Sequence, residues 1–495
     1  MMKKYNPIYL LVAAMMLLAS CAATHKDATQ VDYLPIMYPQ YDDVTIPVNI
    51  APLNFLIRDK HAVGVEATLT IMEPGSVHDD DPDCTMTVSN VGCDIQFDID
   101  DWKDFLQKAV GKKIKVQLYS HSDQDTWTAY KPFTWEVVGD SIDPYLTYQL
   151  IEPDYKVWNR IQIKQRCIEN FREKILADHN LQENSCMNCH ILGNQDPNLS
   201  MIYLNEDASP AILNRNGKLR KLDIEKPGMI TPAVYYNFSP SGKYITFSTN
   251  SYQPAFHADP KKRLEIYDTK SDVYVANLDD NTITSSPLTC DANKLETFPC
   301  FSADGKYIYY CAADSKGLDS KNLKNLKYAL VRIPFNEKTG QFGNKVDTLY
   351  TERSVCHPKI SPDGDYCLFT VADYGTCPAW HPEADLCMLN LETGKIDSLD
   401  TVNSPRADTY HSWSHNSHWF VFSSRRGDGL YSKPYFCYID HQGKAHKPFL
   451  LPQKNPEFYD ESLKSFNVPE LSRGPIPFDA IDLESIMKKP TEKFK

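Results

Sequence analysis

The sequence predicts a mainly β protein with an N-terminal β-sandwich-like domain, a short helical segment and a C-terminal β-propeller. Three observations carry this. Aromatic residues reach 12%, with 29 Tyr and 33 Pro against only 20 Gly, a composition suited to strands and turns. Short runs of alternating or β-branched residues recur along most of the chain. A strand–turn–strand unit repeats in the C-terminal half. At 495 residues the chain has length for about three domains. With 52 Lys+Arg against 65 Asp+Glu its net charge is −13, so no basic field exists to hold a nucleic-acid backbone.

The first twenty residues read as an export signal. Lys3 and Lys4 precede an apolar stretch over residues 8–18, too short to span a bilayer comfortably. It ends in Leu18-Ala19-Ser20-Cys21, which resembles a bacterial lipobox in which Cys21 is lipidated. Residues 21–39 then serve as a lipid-anchored tether. The acidic chain does not favour anionic lipid, so the acyl group supplies the membrane attachment. The expected location is the cell envelope, membrane-anchored and facing the periplasm.

Residues 40–152 show five or more short strand-like runs, at 44–48, 64–71, 95–99, 113–119 and 133–138. Around Trp102, Phe105, Leu106 and Val110 the pattern changes to a short helix. This predicts a small β-sandwich-like domain. Over 153–201 the spacing of Val157, Ile161, Ile168, Phe171, Ile175 and Leu176 predicts an amphipathic helical segment.

The repeat fills the propeller region, 202–470, with a C-terminal tail over 471–495. Its units start at Phe238-Ser239-Pro240-Ser241-Gly242, Phe301-Ser302-Ala303-Asp304-Gly305 and Ile360-Ser361-Pro362-Asp363-Gly364, with a degenerate fourth at Trp413-Ser414-His415-Asn416-Ser417. Each is followed by a second hairpin, and two hairpins make a four-stranded blade. Four blades are clear, and five or six are expected. The repeat resembles the TolB-like (PD40, WD40-like) propeller, which implies a protein-interaction platform.

The strongest chemical motif is Cys186-Met187-Asn188-Cys189-His190. A C-x-x-C-H run attaches c-type haem: two thiols form thioethers to one porphyrin edge, and the adjacent His ligates the iron. One motif implies one covalent haem c. Met201, eleven residues past His190, is the candidate sixth ligand, or a Met packing on haem or core. His179, Met229 and His257 are further candidates. The motif, the runs at 47–55, 143–146 and 150–153, and Phe449-Leu450-Leu451-Pro452 together resemble a group of Gram-negative lipoproteins with a TolB-like propeller, often labelled cytochrome c biosynthesis proteins.

Other constellations read as structural. His411, His415 and His418 fit a polar turn better than a metal site, and Cys377, His381 and Cys387 fit a disulfide or buried thiols better than zinc. Asp79, Asp80, Asp81 and Asp83 lack the regular spacing and Gly of an EF-hand. Lipid and haem account for three of the 14 Cys, and the odd remainder leaves at least one thiol unpaired within the chain. Cys84 with Cys93, and Cys377 with Cys387, are candidate disulfides. The expected function is a lipid-anchored monohaem electron carrier whose propeller docks a redox or envelope partner. The alternatives are an interaction scaffold with a structural or sensory haem, and a haem peroxidase-like enzyme.

Overall fold

The computed structural model describes residue 25 and residues 27–72, 84–152, 161–181, 186–205, 210–256, 264–316, 318 and 322–495. The signal segment, Cys21 and the aspartates at 79–83 lie outside them. Mainly β structure is confirmed. Among the described residues no helix is long and apolar enough to cross a membrane.

Six four-stranded units stand in a ring. Blade 1 starts from Cys186–Gly193 and continues through Asp196–Asn205, Ala211–Arg215 and Lys218–Asp223. Blades 2, 3, 4 and 5 start from Val234–Phe238, Lys294–Phe301, Ser354–Ile360 and Asp408–Trp413. These four are the repeats visible in the sequence. Blade 6 is composite. Its outer strands are Tyr145–Ile151, Ile161–Cys167 and Glu173–Ala177, and its inner strand is Ser465–Ser472 from the far end of the chain. Each inner strand touches the next, and that of blade 6 touches that of blade 1, so the ring closes.

Three expectations are corrected here. The described part of 153–201 is strand rather than helix: in Ile161–Cys167, Ile161 and Ile163 are buried and alternate with half-buried Gln162 and Lys164. The propeller therefore begins near Tyr145. Nor does the C-terminus form a separate tail: helix Ala480–Met487 buries Leu483 and Ile486, and Glu492–Lys493 pairs with the edge of blade 1.

The four sequence repeats share one turn. In the first three, the Ser hydroxyl accepts a hydrogen bond from the main-chain N–H of the Tyr five residues on, at 3.2, 3.0 and 2.9 Å. Gly242, Gly305 and Gly364 take φ of +67°, +69° and +86°. In the fourth, Ser417 holds the glycine position at φ 64°, so the geometry survives the lost Asp-Gly pair.

The N-terminal domain is built on a seven-stranded sheet faced by a three-stranded sheet and helix Ile99–Lys108. Asp98 caps that helix by accepting from the Asp100 and Asp101 N–H groups. Trp102, Phe105 and Leu106 pack on inward residues such as Val116 and Trp135. The same core continues into blade 5 through Trp419, Val421, Phe436 and Phe449. Apolar contact thus holds the two units together, helped by hydrogen bonds such as Thr45 to His446 at 2.8 Å.

Candidate functional site: the axial end of the propeller

The inner strands share an irregularity. In blades 2–5 each breaks register once, between Val234 and Asn237, Thr297 and Cys300, Cys356 and Lys359, and Thr409 and His411. In blade 6 the break lies opposite Thr147 and Gln149. Within each bulge one residue is left-handed: Tyr235 (53°), Phe298 (50°), His357 (54°), Tyr410 (46°) and Val468 (44°). Non-glycine residues hold such angles at a cost, and bulges recur where a fold re-aims side chains toward a site. Blade 1 has two breaks, one between Met187 and Cys189 and one between Leu192 and Gly193. The C-x-x-C-H motif therefore occupies the position of the other blades' bulges.

The bulge residues of blades 2–5 form an arc of rings. Centroids lie 4.2 Å apart for Tyr235–Phe298, 4.2 Å for Phe298–His357 and 4.6 Å for His357–Tyr410. Two positions further along the inner strands stand His190, Asn237, Cys300, Lys359, Ser412 and Glu470. Three of these reach the next blade. The Phe301 N–H donates to Asn237 at 2.8 Å, the Leu471 N–H to Ser412 at 3.3 Å, and the Leu192 N–H to Glu470 at 2.7 Å. The Glu470 bond joins the end of the chain to blade 1. Lys359 Nζ approaches the Glu470 carboxylate to 3.8 Å from blade 4.

His190 is 3% exposed; the main chain of Thr147 and Val468 stands close to its ring, but neither ring nitrogen makes a well-formed hydrogen bond. Burial, opposed by the nearby main chain of Thr147 and Val468 and reinforced by the charge of Lys359, pushes its pKa down to about 4. A neutral imidazole with an unengaged lone pair is what a metal ligand requires. His411, whose Nε2–H donates to the Leu368 carbonyl at 2.8 Å, is likewise lowered by burial, to about 3.

Met201 lies elsewhere. In the blade 1 hairpin His190 registers opposite Ile202, and Ile191 opposite Met201. Cross-strand partners share a face and neighbours alternate. His190 therefore faces blade 6, while Met201 is buried with Ile191, Tyr203 and Leu213 on the side of blade 2. His179 lies in a short 3-10 turn paired with Asp178, and Met229 packs at the edge of the blade 1–2 core. His257 is outside the described residues.

The other sequence candidates fall into ordinary roles. His415 binds Asp143. His381 sits against the buried Glu265 carboxylate at 3.1 Å; burial alone lowers its pKa, but Glu265 and Glu383 outweigh that and raise it. Cys84, Cys93, Cys377 and Cys387 are free thiols, so neither candidate disulfide forms. Lys359, His357 and Glu470 were missed. Part of the signal was present in the sequence, where Phe298-Pro299 and His357-Pro358 stand at the same distance before the Ser302 and Ser361 turns, and Val468-Pro469 at the same distance before Ser472.

No protein-family model matches the chain, and no curated protein matches it. Among solved structures it is similar to the tricorn protease at 12% identity and TM-score 0.37, covering 68% of this chain and 34% of that one. Oligogalacturonate lyase from Vibrio parahaemolyticus is 10% identical with TM-score 0.33, covering 60% of this chain and 88% of that one. An ACO/RPE65 chimera is 11% identical with TM-score 0.42, covering 90% and 98%.

Proposed function

We propose that this chain is a lipid-anchored, monohaem cytochrome c-like protein of the cell envelope, facing the periplasm, whose propeller docks a redox partner. The observation that carries this is the C-x-x-C-H motif ending in His190, a buried imidazole whose ring nitrogens make no well-formed hydrogen bond. When bound, a c-type haem supplies one-electron exchange at iron. Cys186 and Cys189 would hold it, and His190 would be the protein ligand. The donor chemistry fits. The packing constrains it, because a residue 3% exposed leaves no porphyrin-sized space beside it. Loading therefore requires the Cys186 end of the strand to leave its ladder.

The test is an oxidised and reduced absorption spectrum of the protein matured in the presence of haem. Covalent haem is expected in the wild type and absent in Cys186→Ser/Cys189→Ser. A wild type without covalent haem overturns the reading. Because Met201 packs between blades 1 and 2, Met201→Leu is expected to leave the spectrum unchanged. The burial of His190 favours a second reading, a propeller scaffold with a structural haem. That reading predicts low-spin haem that no envelope redox protein reduces or oxidises.

A further inference from the structure

Where the N-terminal domain meets blade 5, three side chains from distant parts of the sequence converge. Asp140 lies on the segment leaving the domain's last strand, Phe133–Val138. His418 lies on the turn before Trp419–Ser424, and His441 follows Lys433–Tyr438. One ligand atom from each lies within 4.8 Å of the other two. His441 Nε2 is 3.3 Å from Asp140 Oδ2, and the two imidazole centroids are 4.2 Å apart.

The surroundings orient all three. His418 Nδ1 is 3.0 Å from the Ile439 carbonyl, which only accepts, so Nδ1 carries the proton and Nε2 keeps its lone pair. Tyr438 donates its hydroxyl to Asp140 Oδ2 at 2.6 Å, and the Trp419 indole donates to the Asp140 carbonyl at 2.7 Å. Asn416 fixes the adjoining turn by accepting from the His418 N–H at 3.1 Å and donating to the Ser141 carbonyl at 2.8 Å. A His whose second nitrogen is held by a carbonyl, beside a carboxylate held by a hydroxyl, is the arrangement that tunes metal ligands. An exposed ion pair alone gains little from such support.

We infer that Asp140, His418 and His441 bind a borderline divalent cation of the Zn²⁺ class, which staples the N-terminal domain to blade 5. Two imidazoles and one carboxylate are a suitable donor set, leaving one position for water. Asp440 and Glu136 also lie close enough to Tyr438 to add negative field.

The experiment is a Zn²⁺ titration of the full chain against a chromophoric chelator, repeated with Co²⁺ as a spectroscopic probe. The wild type is expected to hold one Zn²⁺ that His441→Ala does not. His441 is an exposed turn residue, 64% accessible, so this variant keeps its fold, checked by far-ultraviolet circular dichroism without metal. Tyr438→Phe removes only the support of Asp140 and is expected to weaken binding about 10–100-fold. The Co²⁺ spectrum is expected to lack thiolate charge transfer, which separates this site from the chain's free cysteines. Added Zn²⁺ is expected to raise Tm in the wild type and not in His441→Ala. Equal Zn²⁺ binding in the wild type and His441→Ala overturns the inference, as does a thiolate band that persists in that variant.

Discussion

At the scale of single residues, burial and charge set the behaviour. Glu296, on the inner strand of blade 3, is fully buried, and its carboxylate makes no well-formed hydrogen bond, with only the Asp291 main chain close by. Burial, reinforced by the negative charge of Asp272, raises its pKa from 4.5 to about 8. The folded state thus keeps a proton that the unfolded chain has lost, so Glu296 lowers stability progressively as pH rises from about 4.5 to about 8. Asp268, raised to about 7 chiefly by burial, acts with the same sign. Glu296→Gln stays neutral throughout. Thermal melts from pH 5 to pH 8 are expected to show a shallower loss of Tm in this variant, worth on the order of a few kcal/mol at the upper end. Parallel slopes would show that Glu296 is solvated in the folded protein. Such environments were not legible in the sequence, because burial of one carboxylate depends on strands that meet only in the ring. The pairing of Asp140 with His441 was hidden for the same reason.

At the scale of elements, legibility followed the locality of the interactions. The hairpins of blades 2–4 are closed by contacts within a few residues, and the Ser-x-x-Gly pattern marks them directly, with Ser417 in the glycine position in blade 5. Blade 6 misled for a physical reason. Its strand Tyr145–Ile151 pairs with Ser465–Ser472 from the far end of the chain, and buried polar residues such as Gln165 and Arg166 interrupt the alternation that identifies strands. The apolar spacing that remained matched a helical period by accident. The strands expected at 64–71, 113–119 and 133–138 and helix Ile99–Lys108 were legible because each carries its own period, whereas the run at 95–99 is strand only at Asp94–Ile95 and enters the helix at Ile99, and strand Thr85–Val91 was not expected. The shared turn also sets a prediction. Gly364 sits at φ +86°, where an L side chain is strained. Its Cβ position has only the Ala303 side chain nearby, at 3.5 Å, so the strain is conformational rather than steric. Gly364→Ala is expected to cost about 1–2 kcal/mol, read as a lower midpoint in chemical denaturation. An unchanged midpoint would mean the turn relaxes.

At the scale of the whole molecule, closure of the ring is the main structural commitment. A propeller blade without its inner strand exposes a sheet edge, and a ring with one open blade loses an inter-blade interface on each side. Here a single strand, Ser465–Ser472, supplies both. It pairs with Tyr145–Ile151 and touches the inner strands of blades 5 and 1. Its Glu470 accepts the Leu192 N–H of blade 1, and its Leu471 N–H reaches Ser412 of blade 5. Burial raises the pKa of Glu470, opposed by Lys359 and by that main-chain bond. A chain ending at residue 462 would keep all four recognisable repeats and the N-terminal domain. It would nevertheless lose the strand that makes them one ring. Such a truncation is expected to lower the melting temperature of the propeller and to expose blades 1 and 6 first to limited proteolysis. Glu470→Ala is expected to give a milder version of the same defect. It leaves the Leu192 N–H unpaired at a cost of about 1–3 kcal/mol, with early cleavage confined to the blade 6–blade 1 seam. If the truncated chain melts in one transition at the wild-type temperature, the ring does not depend on its terminal strand. The tie between chain ends would then be a consequence of the fold rather than its cause.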